Sequence, residues 1–144
     1  MSTDSSQWSV EGLLGLFDVQ IDGPGRFTAS TGIAAEDERQ VVEGTQVLAQ
    51  AIVAAAKRFP DKSVRSAHAV FARAVMVSAE PLELEIDVVT EGRSTATAVV
   101  TAIQNGKRCI AVTILADIPT DDVIRHHLPR PRVAAPADAN ISEM

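Results

Sequence analysis

The sequence predicts an α+β domain in which a curled antiparallel sheet surrounds one central apolar helix. An alanine-rich segment at residues 45–58 is apolar on almost every side, as helices buried in a protein core are. Several other segments alternate apolar and polar residues, which is the pattern of half-buried strands. Turn signals at residues 22–25 and 105–106 join neighbouring strands as hairpins and therefore favour antiparallel pairing.

The amino terminus is expected to begin with a disordered segment and a short helix. Residues 1–8 are polar, and chain ends of this composition are rarely ordered. Ser9 can accept a hydrogen bond from the first turn of a helix that reaches Phe17. We therefore place the start of the folded domain at Ser9.

A first hairpin follows this helix. Residues 17–21 alternate and predict a strand whose inward-facing residues are Phe17, Val19 and Ile21. The turn at residues 22–25 contains two glycines and a proline and leads into a returning strand at residues 26–30. Residues 31–43 are acidic and lack periodicity, and we interpret them as a surface loop.

The segment at residues 45–58 gives the strongest helix prediction. Alanine dominates, Gly and Pro are absent inside it, and Lys57 and Arg58 complement the negative end of the helix dipole. Phe59 and Pro60 end the helix. A helix of about 14 residues is too short to cross a bilayer, so its apolar surface implies burial in a protein core.

The rest of the domain is predicted to be sheet. Four segments have strand patterns: residues 64–73, 82–88, 94–104 and 107–116. A sheet wrapped around one helix leaves edge strands that must be covered. Pairing of an edge with a second copy, or packing of helix against helix, would cover them in a twofold dimer.

Composition excludes several classes of function. The chain has 144 residues, enough for one domain, and a formal charge of −6, which argues against nucleic acid and anionic membranes as partners. No apolar run is long enough to span a membrane. The first 20 residues contain no Lys or Arg, so they do not resemble a secretory signal. Cys109 is the only cysteine, which suits a core position in a cytoplasmic protein.

Four motifs stand in an order typical of one family. Residues 41–51 (VVEGTQVLAQA) resemble the phenylalanine-glycine-glycine-glutamine-valine-leucine-alanine-glutamine signature of the acyl-CoA thioesterase II family. Residues 66–71 (SAHAVF) resemble that family's strand after the helix. Residues 91–94 (EGRS) resemble its turn, and Gln104 matches a glutamine that ends the next strand.

This resemblance implies the hotdog fold, which is a sheet curled around a central helix. The resemblance spans about residues 11–118, and we place the hotdog domain at residues 9–118 and a Pro-rich tail or linker at residues 119–144. The sequence departs from the family pattern at Glu43, where the family has Phe, and at Thr45, which replaces a second Gly.

The family joins two hotdog units in one chain, and its catalytic Asp, Ser or Thr, and Gln lie in the second unit. This chain resembles the first unit, so those roles cannot be transferred to its residues. The resemblance implies a cytoplasmic enzyme of fatty acid metabolism that hydrolyses an acyl-CoA thioester as a homodimer or higher homo-oligomer. Alternatively, the chain is a catalytically weak subunit that binds acyl-CoA or assembles with a second hotdog unit.

The start of the central helix carries the residues that suit thioester hydrolysis. Hydrolysis needs a carboxylate that activates water or attacks directly, and donors for the developing oxyanion. We interpret Glu43 as the general base or nucleophile, with the backbone N–H groups of Gly44 and Thr45 near the oxyanion. Gln46 would orient water or the carbonyl. The alternative is that Glu43 only caps or neutralises the helix end.

Gln46 and Gln50 stand four residues apart on one face of a helix that is otherwise apolar. They are interpreted either as a polar stripe along the substrate cleft or as structural hydrogen bonds to the backbone of a neighbouring strand. For Gln50 the structural interpretation is favoured.

Other polar residues have two open interpretations. His68 either lines the substrate site or is structural, and no metal-ligand spacing surrounds it. Arg93 either meets the phosphates of coenzyme A or is a solvated turn charge, and the same two interpretations apply to Arg65 and Arg73. We predict no metal and no cofactor. Residues 31–58 contain no His, which argues against the hydratases and dehydratases of the same fold.

Overall fold

The computed structural model describes residues 9–32, 40–121, 124, 126–133 and 135. In these residues it contains two helices, six strands and the loops that join them. The elements are α1 (Val10–Phe17), β1 (Val19–Gly23), β2 (Arg26–Ala29), α2 (Gly44–Arg58), β3 (Ser63–Phe71), β4 (Leu82–Glu91), β5 (Thr95–Gln104) and β6 (Lys107–Asp117). The predicted disordered segment at residues 1–8, part of the predicted loop and the whole chain beyond residue 135 lie outside the described residues.

The six strands form one antiparallel sheet in the order β1-β2-β4-β5-β6-β3. The sheet wraps around α2, which contacts β1, β3, β4, β5 and β6. This arrangement confirms the predicted α+β class and the central position of the apolar helix. It also makes β1 and β3 the two edge strands.

The helix α2 packs closely on the sheet because its side chains are small. The residues that it buries are Val47, Gln50, Ala51, Ala54 and Ala55. On the sheet, the apolar residues of each alternating strand point to the helix, and Leu84, Val100 and Ile114 are completely buried. Alanine brings the helix axis near the strands, so one short helix can fill the curl of the sheet.

Charged residues fix the carboxyl end of α2. The ammonium group of Lys57 donates to Asp18 Oδ1 and to the carbonyl of Val19, both at 2.6 Å. Arg58 pairs with Glu91 at 2.8 Å. Both cations also lie at the negative end of the helix dipole, as predicted.

The hairpin between β5 and β6 turns at Asn105 and Gly106. Both residues have positive φ angles, 52° and 69°, which is the backbone of the two-residue turn that the Asn-Gly pair predicts. The short helix α1 is also confirmed: the side chain of Ser9 accepts a hydrogen bond from the amide of Gly12 at 3.0 Å.

The prediction that Phe17 and Ile21 face inward from a strand is wrong. Phe17 is the last residue of α1, and the strand begins at Val19. Ile21 is 70% exposed. Ile21 lies on the edge strand β1, which has a neighbouring strand on one side only, and its side chain stays exposed although its cross-strand partner Phe27 is buried.

Candidate active site

The amino end of α2 opens onto a cavity. Its volume is about 300 Å³, and it is lined by Val42, Gly44, Phe71, Ala72, Arg73, Ala74, Val75 and Ile110. The walls come from the start of α2, from the end of β3 with the chain that follows, and from β6. The lining is apolar except for backbone groups and Arg73.

Gly44 allows the cavity wall to approach the first turn of α2. A Cβ atom built on this residue would stand 2.7 Å from Cε1 of Phe71, which is closer than real Cβ atoms come to other atoms. Any larger residue would therefore require the Phe71 ring to move. Phe71 is 54% exposed, so its ring forms part of the rim of the cavity.

Glu43 stands directly before the helix in an extended conformation. Its carbonyl accepts hydrogen bonds from the amides of Gln46 and Val47, at 3.0 and 3.4 Å. The side chain is exposed and makes no capping hydrogen bond. The negative charge of Glu43 also favours the positive end of the helix, as the alternative interpretation of this residue expects.

The first turn of α2 leaves two amides for a ligand. Because Gln46 and Val47 donate to Glu43, the remaining N–H groups of this turn are those of Gly44 and Thr45. Within the described residues, no protein acceptor binds either of them. Thr45 is exposed, and Gly44 lines the cavity.

The two glutamines of α2 point away from the cavity toward β2. Nε2 of Gln50 donates to the carbonyls of Leu16 and Ser30, at 2.8 and 2.7 Å, and Nε2 of Gln46 donates to Ser30 at 3.3 Å. Gln50 is completely buried, and its Oε1 has no partner within the described residues. These contacts favour the structural interpretation for both glutamines.

His68 and Arg93 do not meet Glu43 within one chain. His68 is exposed, and its neighbours Ala67 and Ala69 pack on the core, so it lies on the outer face of the sheet. Arg93 lies in the turn after β4, beside the carboxyl end of α2. A helix of 15 residues is roughly 22 Å long, which separates Arg93 from the cavity.

Arg73 is the cation that the fold brings to the cavity. The sequence marked it only as a charge with two open interpretations, as it did Arg65. Arg65 forms an ion pair with Asp117 on the neighbouring strand, whereas no ion pair to Arg73 occurs within the described residues. Arg73 reaches the cavity because the chain after β3 lies beside the start of α2. The residues around Arg73 contain no sequence pattern that predicts this position.

The two carboxyl groups with lowered pKa values, Asp18 and Asp61, lie away from the cavity. The ammonium group of Lys57 hydrogen-bonds Asp18 and holds the pKa of that carboxyl below its usual value, and Lys62 does the same to the pKa of Asp61. Among the described residues, no cluster of three or more His, Cys, Asp or Glu could hold a metal ion. None of the described helices has the length and apolar character needed to span a bilayer.

Comparison with known proteins gives one family match. Residues 36–117, more than half of the chain, match the family model for the acyl-CoA thioesterase N-terminal domain. No curated protein matches the sequence significantly.

Among solved structures, a tesB protein from Mycobacterium avium subspecies paratuberculosis is 22% identical, with a TM-score of 0.76 over 90% of this chain and 50% of that one. The acyl-CoA thioesterase II TesB2 of Mycobacterium marinum is also 22% identical, with a TM-score of 0.70 over 86% of this chain and 44% of that one. A Streptococcus mutans protein solved with acetyl CoA bound is 13% identical, with a TM-score of 0.59 over 71% of this chain and 87% of that one.

At these identities the structural likeness shows the fold alone, which is the hotdog fold that the four motifs predict. The chain spans about half the length of the two mycobacterial proteins.

Proposed function

This chain belongs to the acyl-CoA thioesterase N-terminal domain family, and from that premise we propose that it hydrolyses an acyl-CoA thioester to a free acid and coenzyme A. The observation that carries the proposal is the arrangement at the start of α2. Val42 and Gly44 line an apolar cavity there, and the exposed Glu43 stands between them in the chain. Within the described residues, no protein acceptor binds the amides of Gly44 and Thr45.

In this proposal the helix end stabilises the charge that develops during the reaction. The thioester carbonyl lies against the N–H groups of Gly44 and Thr45, which are aimed along the helix axis at its positive end. Attack converts the carbonyl oxygen into an oxyanion, and donors already fixed in place lower the energy of that state. Gly44 has no side chain to keep the carbonyl away.

Glu43 supplies the base. Its carboxylate removes a proton from a water molecule as the water oxygen bonds to the carbonyl carbon. The tetrahedral intermediate then breaks its carbon–sulfur bond, and the proton held by Glu43 passes to the departing thiolate. Glu43 could instead attack the carbonyl itself, and water would then hydrolyse the resulting anhydride.

The cavity walls suggest how the substrate is held. The acyl group lies against Val42, Val75 and Ile110, which are apolar. Arg73 faces the anionic coenzyme A moiety, because a guanidinium binds phosphate well. Such a substrate belongs to fatty acid metabolism, and the single cysteine Cys109 supports a cytoplasmic location for the proposed enzyme.

We further propose that the chain works as a homodimer or higher homo-oligomer. The edge strand β3 has nine residues, and no strand pairs with its outer side within the described residues. Val70 on this strand is 55% exposed. Pairing of two β3 strands would satisfy their free backbone groups and place the cavity beside the interface, because Phe71 ends the strand.

A second candidate function is a catalytically weak unit that binds acyl-CoA or assembles with a second hotdog unit. The observation that favours it is length, since the chain covers only about half of the mycobacterial proteins. In that arrangement the cavity would contribute a wall to a site completed by the partner.

A thiol-release assay on the purified protein separates these functions. Acyl-CoA substrates from two to sixteen carbons are supplied, and free coenzyme A is detected with a thiol reagent. The thioesterase proposal expects saturable release for at least one chain length. Binding of acyl-CoA by calorimetry without any release, from protein that is folded and dimeric, would favour the binding unit instead.

A further inference from the structure

A short extended segment, residues 75–78, connects the cavity to the end of the sheet. One side of this segment pairs with the chain that leads into α2. The amide of Val42 donates to the carbonyl of Val75 at 2.9 Å, and the amide of Val77 donates to the carbonyl of Gln40 at 2.8 Å. The residues that precede Glu43 are therefore held by this segment.

Side chains satisfy the other side of the segment. Nε2 of Gln104 donates to the carbonyl of Met76 at 2.7 Å, and the amide of Met76 donates to Oε1 of Gln104 at 2.9 Å. Thr31 makes the same two-way exchange with Ser78, with both hydrogen bonds at 2.9 Å. The side chains of Gln104 and Thr31 thus bind the N–H and C=O groups that a neighbouring strand would bind in a sheet.

We propose that Gln104 is a positioning residue for the site at the start of α2. Its amide fixes Met76, the pairing of residues 75–77 with residues 40–42 transmits that position, and Glu43 and Gly44 follow directly. This inference rests on the proposed function, since it assigns Gln104 to the same site. Gln104 is not among the residues that line the cavity, so we assign it a positioning role and not a catalytic one.

The partial exposure of Gln104 means that its loss should affect the position of Met76 more than the stability of the domain. The side chain is half-buried at the end of β5, where water can replace its hydrogen bonds to Met76. Water would satisfy the backbone groups of Met76 without fixing the distance between Met76 and the end of β5. Loss of the amide should therefore alter the geometry of residues 40–44 more than it alters the stability of the domain.

The test compares three variants in the full chain. Gln104→Met keeps the shape of the side chain and removes both hydrogen bonds. Gln104→Glu keeps an acceptor for the amide of Met76 and removes the donor to its carbonyl. Gln20→Met is the matched control, because Gln20 is an exposed glutamine on β1 whose side chain bonds Asp18 and no other side chain in the part of the chain that the structure describes. Amide resonances of Glu43 and Gly44 are recorded by nuclear magnetic resonance, and kcat and KM are measured with the best acyl-CoA substrate.

The proposal expects both Gln104 variants to shift the Glu43 and Gly44 resonances and to lower kcat about tenfold with little change in KM. The melting temperature should stay within about 3 °C of the wild type, and Gln20→Met should change none of these values. Unchanged Glu43 and Gly44 resonances in folded Gln104→Met and Gln104→Glu would overturn the proposal. The resonances also decide the matter if the protein shows no turnover, so a failure of the thioesterase proposal is seen separately.

Discussion

The ring of Phe71 lies directly against the α-carbon of Gly44, leaving no space for a side chain at the first position of the central helix. The contact joins the end of β3 to the start of α2, which is the element that comes directly before β3 in the chain. It also sets the width of the cavity at the point where a thioester carbonyl would reach the helix amides.

Substitution of Gly44 by Ala should lower kcat/KM at least tenfold, because the added methyl group would displace the Phe71 ring and change the shape of the cavity beside the helix amides. Replacing Phe71 with Leu in the same chain should recover part of the loss by making room. Gly15→Ala is the control, since nothing lies within 4 Å of the Cβ position at Gly15. Equal turnover in Gly44→Ala and wild type would show that the carbonyl does not approach this residue.

Gln50→Met should destabilise the domain by about 1–2 kcal/mol, because the carbonyls of Leu16 and Ser30 lose their buried donor. Removing the buried Oε1 of Gln50, which has no partner within the described residues, should stabilise the domain by less than the loss of the two hydrogen bonds destabilises it. Gln46→Met should cost less than Gln50→Met, since its single bond to Ser30 is 3.3 Å long. Urea unfolding measures both. A Gln50→Met protein as stable as wild type would contradict the structural role of Gln50.

Acid should weaken the fold through Asp18 and Asp61. Their pKa values lie below the usual 3.8 in the folded chain because Lys57 and Lys62 bind them. The folded state therefore holds the ionised carboxyls, and its advantage is complete above the usual pKa and is lost as the pH falls through the lowered values. The melting temperature should drop as the pH falls below the usual carboxyl pKa of 3.8, and it should drop less in Asp18→Asn. An equal drop in that variant would remove Asp18 from the account.

The substitution Val70→Lys should weaken the association of two copies of this chain. Val70 is exposed on the edge strand proposed to pair with a second copy, and a lysine side chain on an edge strand opposes pairing with another strand. Ile21→Lys is the matched control on the other edge strand, where the side chain is also exposed. Sedimentation velocity should show a weaker dimer for Val70→Lys alone. Equal weakening by both substitutions, or by neither, would contradict pairing through β3.

Local patterns predict most of the fold of this protein. The helix α2 follows from a run of alanines without Gly or Pro, and the β5–β6 hairpin follows from Asn105 and Gly106. The error at Ile21 arose because alternation reports the face of a strand and not how far the core extends along it. Because β1 is an edge strand, it has a neighbouring strand on one side only, and the side chain of Ile21 is covered less than a side chain on an inner strand.

The candidate site is predictable only in part. Glu43 and Gly44 stand out in the sequence because a carboxylate and a glycine open an apolar helix. Phe71 and Arg73 reach the same cavity through the pairing of β3 with β6, which depends on contacts between distant parts of the chain. The hydrogen bonds between Gln104 and Met76 depend on the same tertiary arrangement, so a glutamine at the end of a strand carries no local sign of them.

The central claim is that the carboxylate of Glu43 drives thioester hydrolysis at the amino end of α2. Its most direct test is the thiol-release rate of Glu43→Gln beside that of Glu83→Gln, a matched change at an exposed carboxylate on β4. The account predicts that Glu43→Gln loses about a hundredfold or more in kcat while its melting temperature is unchanged, and that Glu83→Gln keeps full activity. Turnover by Glu43→Gln within twofold of the wild type would contradict the account.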